Sequence, residues 1–190
     1  MINRREALRR VSFIMGGALS APVIAGILQG CSSTPELDWE PQFLSKEQAA
    51  TVSELAERIL PKTDTPGAKD AGVPSYIDSI LNNIYTDEER KRFTDGLSAL
   101  DKASDDKFGD AFVELQPEQQ DEILKSMAAQ GKEQMDGSKQ RPFFFEVKEL
   151  TMVGFFTSEI GATQFLQYVE VPGNYEGCIP LAEVGKAWAM

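Results

Sequence analysis

Two helix-start signatures, Ser45-Lys46-Glu47-Gln48 and Thr86-Asp87-Glu88-Glu89, constrain this chain more than any other feature. In each, a hydroxyl accepts a backbone N–H three residues on, while the side chain at the fourth position reaches back to the first residue's own N–H. Both signatures lead into helical periodicity. Ala49, Val52, Leu55, Ala56, Ile59 and Leu60 share one face of a helix that Pro61 stops. Phe93, Leu97 and Leu100 share one face of a second helix, running from 87 to about 103. A third is predicted over 75–85 through Tyr76, Ile77, Ile80, Leu81 and Ile84. A fourth opens on Pro117, a favoured first helical residue, and reaches Ala129 through Ile123, Leu124 and Met127. A fifth spans 142–158.

Between these lie a Thr-, Asp-, Gly- and Pro-rich loop over 62–74 and a polar loop over 131–141. Residues 107–115 are ambiguous, an extended stretch with Phe108, Phe112, Val113 and Leu115 being one reading, and a short segment at 164–169 precedes an irregular tail. No alternation of strand type and no internal repeat is visible. The expected architecture is all-α, a bundle of about five helices with long loops and an irregular C-terminal tail.

The fifth helix is apolar nearly all round, through Phe143, Phe144, Phe145, Val147, Leu150, Val153, Phe155 and Phe156. Such a helix is either buried at the centre of its own domain or shared with a partner. Successive helical residues point about 100° apart, so the Phe143, Phe144 and Phe145 rings diverge, and an exposed aromatic patch of the interface type is expected there.

The N-terminus is of a different kind. Arg4, Arg5, Arg9 and Arg10 precede an almost uncharged run over 11–28, which closes on Gly30-Cys31 before the chain turns polar. A charged start, an apolar middle and a small residue at the cut make a secretory signal. Cysteine directly after the cut makes it a bacterial lipoprotein signal, with Cys31 acylated. About 18 apolar residues would also suffice for a retained membrane span, although Gly16, Gly17, Pro22 and Gly26 weaken such a helix. Asn3-Arg4-Arg5-Glu6-Ala7-Leu8-Arg9 resembles the twin-arginine export signal, with Ala7 where a bulkier apolar residue is usual; an ordinary signal with adjacent arginines is the alternative. The organisation read from this is a signal over 1–30, a lipid-anchored tether over 31–44 and a helical domain over 45–190, held at the periplasmic face of a bacterial membrane.

Four of the 19 basic residues and one of the 30 acidic ones lie in the first 30 residues, leaving 15 against 29 in the other 160, a net −14. That balance argues against nucleic acid and against adhesion to anionic lipid. A domain of this size buries roughly 70% of its unfolded surface and needs no disulfide framework. The chain has no histidine, which removes His-based zinc or haem ligation and Ser-His or Cys-His catalysis. With Cys31 acylated, Cys178 is the one remaining thiol, too few for an iron–sulfur cluster. There is no GxGxxG and no P-loop. No catalytic, cofactor-binding or metal-ligating residue is assigned. Cys178 is read either as a bridge to another chain or as a buried free thiol.

The segments Ile59-Leu60-Pro61-Lys62-Thr63-Asp64-Thr65-Pro66-Gly67-Ala68 and Ala71-Gly72-Val73-Pro74 resemble the gluconate 2-dehydrogenase subunit 3 family. The resemblance resumes from Phe143 to Thr151, from Gly154 to Gly161, and through Tyr168, Val171-Pro172-Gly173-Asn174-Tyr175 and Gly177-Cys178-Ile179-Pro180. It implies an accessory subunit that pairs with a large flavin-dependent dehydrogenase of the glucose-methanol-choline type, often with a cytochrome c as third member. The FAD would lie in the partner. The complexes oxidise sugars, sugar acids or glycosides, and the small subunit is thought to assist maturation and export. The contact surface expected from this comprises Asp64, Thr65, Pro66, Gly67, Phe143, Phe144, Phe145, Glu159, Tyr168, Pro172, Gly173, Tyr175 and Cys178. Within it, Asp64 is read as a turn cap rather than a catalyst, and Glu159 as the carboxylate best placed for burial. A free-standing lipoprotein binding module, for glycans for instance, is the competing class.

Overall fold

The computed structural model describes residues 37–135, 140–171, 173–174 and 177–189. The expected signal, with Arg4, Arg5 and Cys31, lies outside these, as do Pro172 and Tyr175. Both capping boxes form. Ser45 Oγ accepts the Gln48 N–H at 3.2 Å, Gln48 Oε1 accepts the Ser45 N–H at 3.1 Å, and α1 runs Lys46–Ile59. Thr86 and Glu89 exchange the same pair of bonds at the start of α3, Asp87–Phe108. Between them α2, Val73–Asn83, begins after Gly72, whose φ of 68° is a left-handed conformation that glycine adopts without steric cost. A 3₁₀ turn at Phe112–Glu114 leads to α4, Pro117–Met135, then α5, Phe143–Thr157, and a single turn α6, Leu181–Val184. Among the described residues there is no strand, only one isolated parallel bridge between Gln167 and Trp188.

Helix α5 is the centre of the bundle, in contact with α1, α2, α3 and α4. That accounts for apolar residues on nearly every side, since four neighbours each need a face. The close approach of α5 to α2 depends on Gly154: a Cβ there would lie 2.6 Å from Tyr76 Cδ1. Phe93, Phe112, Phe155, Leu55, Ile77, Leu81, Leu97 and Leu100 form the buried centre.

Two helices run further than their sequence suggested. Helix α3 continues five residues past Ala103 and stops at Gly109, whose φ of 84° makes it a left-handed C-terminal cap. Residues 107–115 are accordingly a helix end plus a 3₁₀ turn, with Phe112 buried rather than part of an extended segment. Asp101 accepts the Phe112 N–H at 3.3 Å and Gln120 donates to the Phe112 carbonyl at 2.9 Å, so the turn's backbone is held from both sides. Helix α4 continues through the glycine at 131 to Met135, shortening the expected polar loop.

Asp101 is half-buried, and that burial pushes its carboxyl above the ordinary aspartate value, against a smaller lowering by the Phe112 N–H. A group whose folded pKa is raised opposes folding once it must ionise. Below the unfolded value of 3.8 the carboxyl is protonated in both states and the term vanishes; it grows as pH rises through the folded value. Asp101→Asn, which keeps an acceptor for Phe112, is therefore expected to be more stable than the parent at pH 7 and to lose that advantage near pH 3. Thermal melts at the two pH values check this.

Thr151 on α5 is fully buried, and its hydroxyl has no hydrogen-bond partner among the described residues. A buried hydroxyl without a partner costs free energy that a methyl of the same shape does not. Thr151→Val is expected to stabilise by about 1 kcal/mol, read from denaturant unfolding.

Candidate partner-binding surface

The loop over 61–72 is fastened by carboxylates other than Asp64. Glu57 accepts the Lys62 N–H at 2.8 Å and the Lys69 N–H at 2.9 Å. Asp70 accepts the Gly67 N–H and the Lys62 ammonium, both at 3.1 Å, and the Gly67 bond first, then Lys62, holds its carboxyl below the usual aspartate value. The Ala68 N–H donates back to Leu60 O and the Val73 N–H to Ala68 O. Gly67 is buried with the Glu57 carboxylate against it, so a side chain at 67 would displace that staple. Asp64 itself is exposed, and its side chain makes no hydrogen bond among the described residues. The cap of this turn is Asp70, not the expected Asp64.

The three phenylalanines are half-buried instead of forming an exposed patch. Phe143 sits edge-on to Phe93, centroids 5.4 Å apart, over the space left by Gly96. Phe145 lies against Gly131, where a Cβ would be 3.0 Å from its ring, and edge-on to Phe144 at 5.4 Å. Phe144 turns toward α1 and α4 into a cleft of about 310 Å³. The divergent rings are received because α3 and α4 each present a glycine to one of them.

Glu159 is exposed. Among the described residues the buried carboxylates are Asp78 and Glu146, both on apolar stripes of their helices. Glu146 lies 3.8 Å from Arg92, with the Tyr85 phenol in the same cluster. Burial first, then the Glu146 charge, holds the Tyr85 phenol well above its ordinary value. The cluster joins the link between α2 and α3 to α3 and α5.

Most of the exposed large apolar side chains among the described residues lie C-terminal to α5, with Ile84, Met135 and Val153 exposed elsewhere. Ser158 donates to Phe155 O at 2.7 Å and accepts the Gly161 N–H at 2.9 Å, turning the chain into a π-helical turn, Gly161–Phe165. Gly161 packs onto the Phe155 carbonyl, leaving no room for a Cβ. The turn returns Phe165 onto Phe155 and Phe156 at 5.6 and 5.5 Å. Beyond it, Gln167 donates to Ala187 O and accepts from the Ala189 N–H, at 2.8 and 2.9 Å, and Lys186 reaches Gln164 O. These bonds close residues 168–187 into one long loop. On it Leu181 is 86% exposed, Val171 79% and Tyr168 55%, with Val169, Ile179 and the adjoining Trp188 also exposed. Cys178 is an exposed free thiol in the same loop, so the buried-thiol reading does not hold, and Gly173 is exposed beside it. Exposed large apolar side chains in such number make this segment the candidate interaction surface. Sequence reasoning placed Tyr168, Gly173 and Cys178 here but passed over Leu181, Val171 and Trp188, which carry no periodic signal.

Among the described residues no cluster of three His, Cys, Asp or Glu side chains could hold a metal, and no helix is long and apolar enough to cross a membrane. Among the described residues, seven of the ten large apolar side chains left exposed follow α5, the others being Ile84, Met135 and Val153. The chain belongs to the gluconate 2-dehydrogenase subunit 3 family, whose family model matches residues 46–173. It is thus an accessory subunit of an oxidoreductase complex, not catalytic alone. No curated protein and no solved structure matches the chain.

Proposed function

We propose that this chain is the non-catalytic escort of an exported FAD-dependent dehydrogenase of the glucose-methanol-choline type, which oxidises sugars, sugar acids or glycosides and passes electrons on, in some complexes through a cytochrome c subunit. The family match over 46–173 carries the reading. The exposed loop over 168–187 is the surface we assign to the large subunit, with the loop over 61–72 as a second contact. Cys31 anchors the complex to the periplasmic face of a membrane, and two or more acyl chains hold stably. The Arg4-Arg5 pair supplies the export logic. A helical domain without a cofactor of its own has little need of a pore for folded proteins, whereas a partner that acquires flavin in the cytoplasm does.

The reading is tested by deleting the gene and fractionating the cells. Loss of flavin dehydrogenase activity from the periplasm, with the large subunit retained in the cytoplasm, is the expected result. Undiminished periplasmic activity would contradict the escort role.

A further inference from the structure

The cleft between α1, α4 and α5 reverses the sign of the chain's charge. Its floor is apolar, made by Ile59, Leu124, Ala128 and Phe144, and its mouth carries Arg58, Lys125 and Lys148 against one carboxylate, Asp121. Arg58 is paired with Asp121 at 3.0 Å. Lys125 and Lys148 are exposed and have no ion pair among the described residues. The nearby carboxylates are engaged elsewhere: Glu57 with the 61–72 loop, Glu54 with Lys69, Glu122 with Lys107 and Glu149 with Arg141. On a chain with a net charge of −11, two unpaired ammonium groups over an apolar floor form a local positive site.

We infer that this cleft is a docking site for an acidic segment of the large subunit, one apolar side chain entering over Phe144 with carboxylates beside it meeting Lys125 and Lys148. The inference rests on the proposed function for the identity of the partner. Charge complementarity selects the occupant: the acidic remainder of the surface repels such a segment, while the cleft attracts it, which fixes the orientation of the two subunits. The volume, about 310 Å³, is at the small end for ligand pockets and suits one large side chain rather than an enclosed small molecule. Phe144 then has a part in the interface although its ring is half-buried.

The test compares three proteins purified from native membranes through a C-terminal tag: the parent, Lys125→Glu/Lys148→Glu, and a control, Lys46→Glu/Lys102→Glu, which makes the same charge change at exposed lysines outside the cleft. All three are expected to melt alike, and a cleft variant that melted differently would be replaced by Lys125→Gln/Lys148→Gln, expected to give a smaller loss of the same sign. Co-purifying flavin absorbance is expected to fall about tenfold or more for the cleft variant, since facing like charges repel, and to be unchanged for the control. Equal flavin with parent and cleft variant overturns the inference and leaves the proposed function standing. Absence of flavin from the parent preparation overturns both.

Discussion

Asp78→Ala is expected to be the most destabilising polar substitution in this chain, by about 3–5 kcal/mol. Asp78 is 1% exposed, and its carboxylate accepts three backbone N–H groups, from Gln42 at 2.7 Å, Phe43 at 3.2 Å and Leu44 at 2.8 Å. These residues lead directly into the Ser45 cap of α1, so one side chain on α2 fixes the entry into the first helix. Removing it strands three donors in a place water reaches poorly, and each such donor costs about 1–3 kcal/mol. The entering segment is held further by apolar packing of Leu37, Trp39, Phe43 and Leu44, by Asn82 donating to Gln42 Oε1 at 3.1 Å, and by Arg90, whose guanidinium lies 5.6 Å over the Phe43 ring. Arg90 in turn caps the end of α2, donating to Leu81 O and Asn82 O. Asp78→Asn, with one acceptor oxygen and no charge, should cost about half as much. For a domain of this size each kcal/mol moves the melting temperature by about 2–4 °C, so the alanine variant should melt roughly 10 °C lower. An unchanged melt would mean that the 42–44 contact does not hold the fold together.

The second large effect is on assembly. Leu181→Asp together with Val171→Asp is expected to abolish association with the large subunit while leaving the melting temperature of the isolated chain unchanged. Both side chains are more than three-quarters exposed, so the isolated domain loses almost no buried area on their replacement. In an interface, by contrast, each would bury an unpaired carboxylate, at a cost of several kcal/mol. Two such charges exceed the margin of a micromolar or even nanomolar complex by orders of magnitude in Kd. Sedimentation or size-exclusion of the purified pair of subunits reads the result. Retention of the complex by the double variant would remove the 168–187 loop from the interface.

The contrast between these predictions explains which parts of the molecule the sequence disclosed. Capping boxes are local devices, written in four adjacent residues, and both were readable and both form. The stop of α3 was also local: Gly109 after Lys107 is a C-terminal signal, and its φ of 84° shows why the helix ends there rather than near Ala103. What could not be read was pairing between distant residues. The Phe143, Phe144 and Phe145 rings look too divergent for one core until Gly96 on α3 and Gly131 on α4 are seen to make room for two of them. The buried acids were misjudged for a related reason. Glu159 lies past the end of α5, whereas Asp78 falls among Pro74, Ile77 and Leu81 on the buried stripe of α2, and that spacing was visible in the sequence. A polar residue on an apolar stripe, rather than one beside an aromatic run, was the better indicator. The exposed C-terminal segment has no period at all; that its apolar side chains stay exposed is visible only in the structure, where the Gln167–Trp188 bridge joins its ends.

A flavin-bearing partner is what the escort role most directly requires. The chain, carrying a C-terminal tag, is purified in mild detergent from native membranes, its visible spectrum is taken, and the eluate is run on a gel with and without reductant. A large subunit in equal amount with flavin absorbance is expected, and a band that splits on reduction would put Cys178 at the contact. A colourless, solitary protein would contradict the escort role.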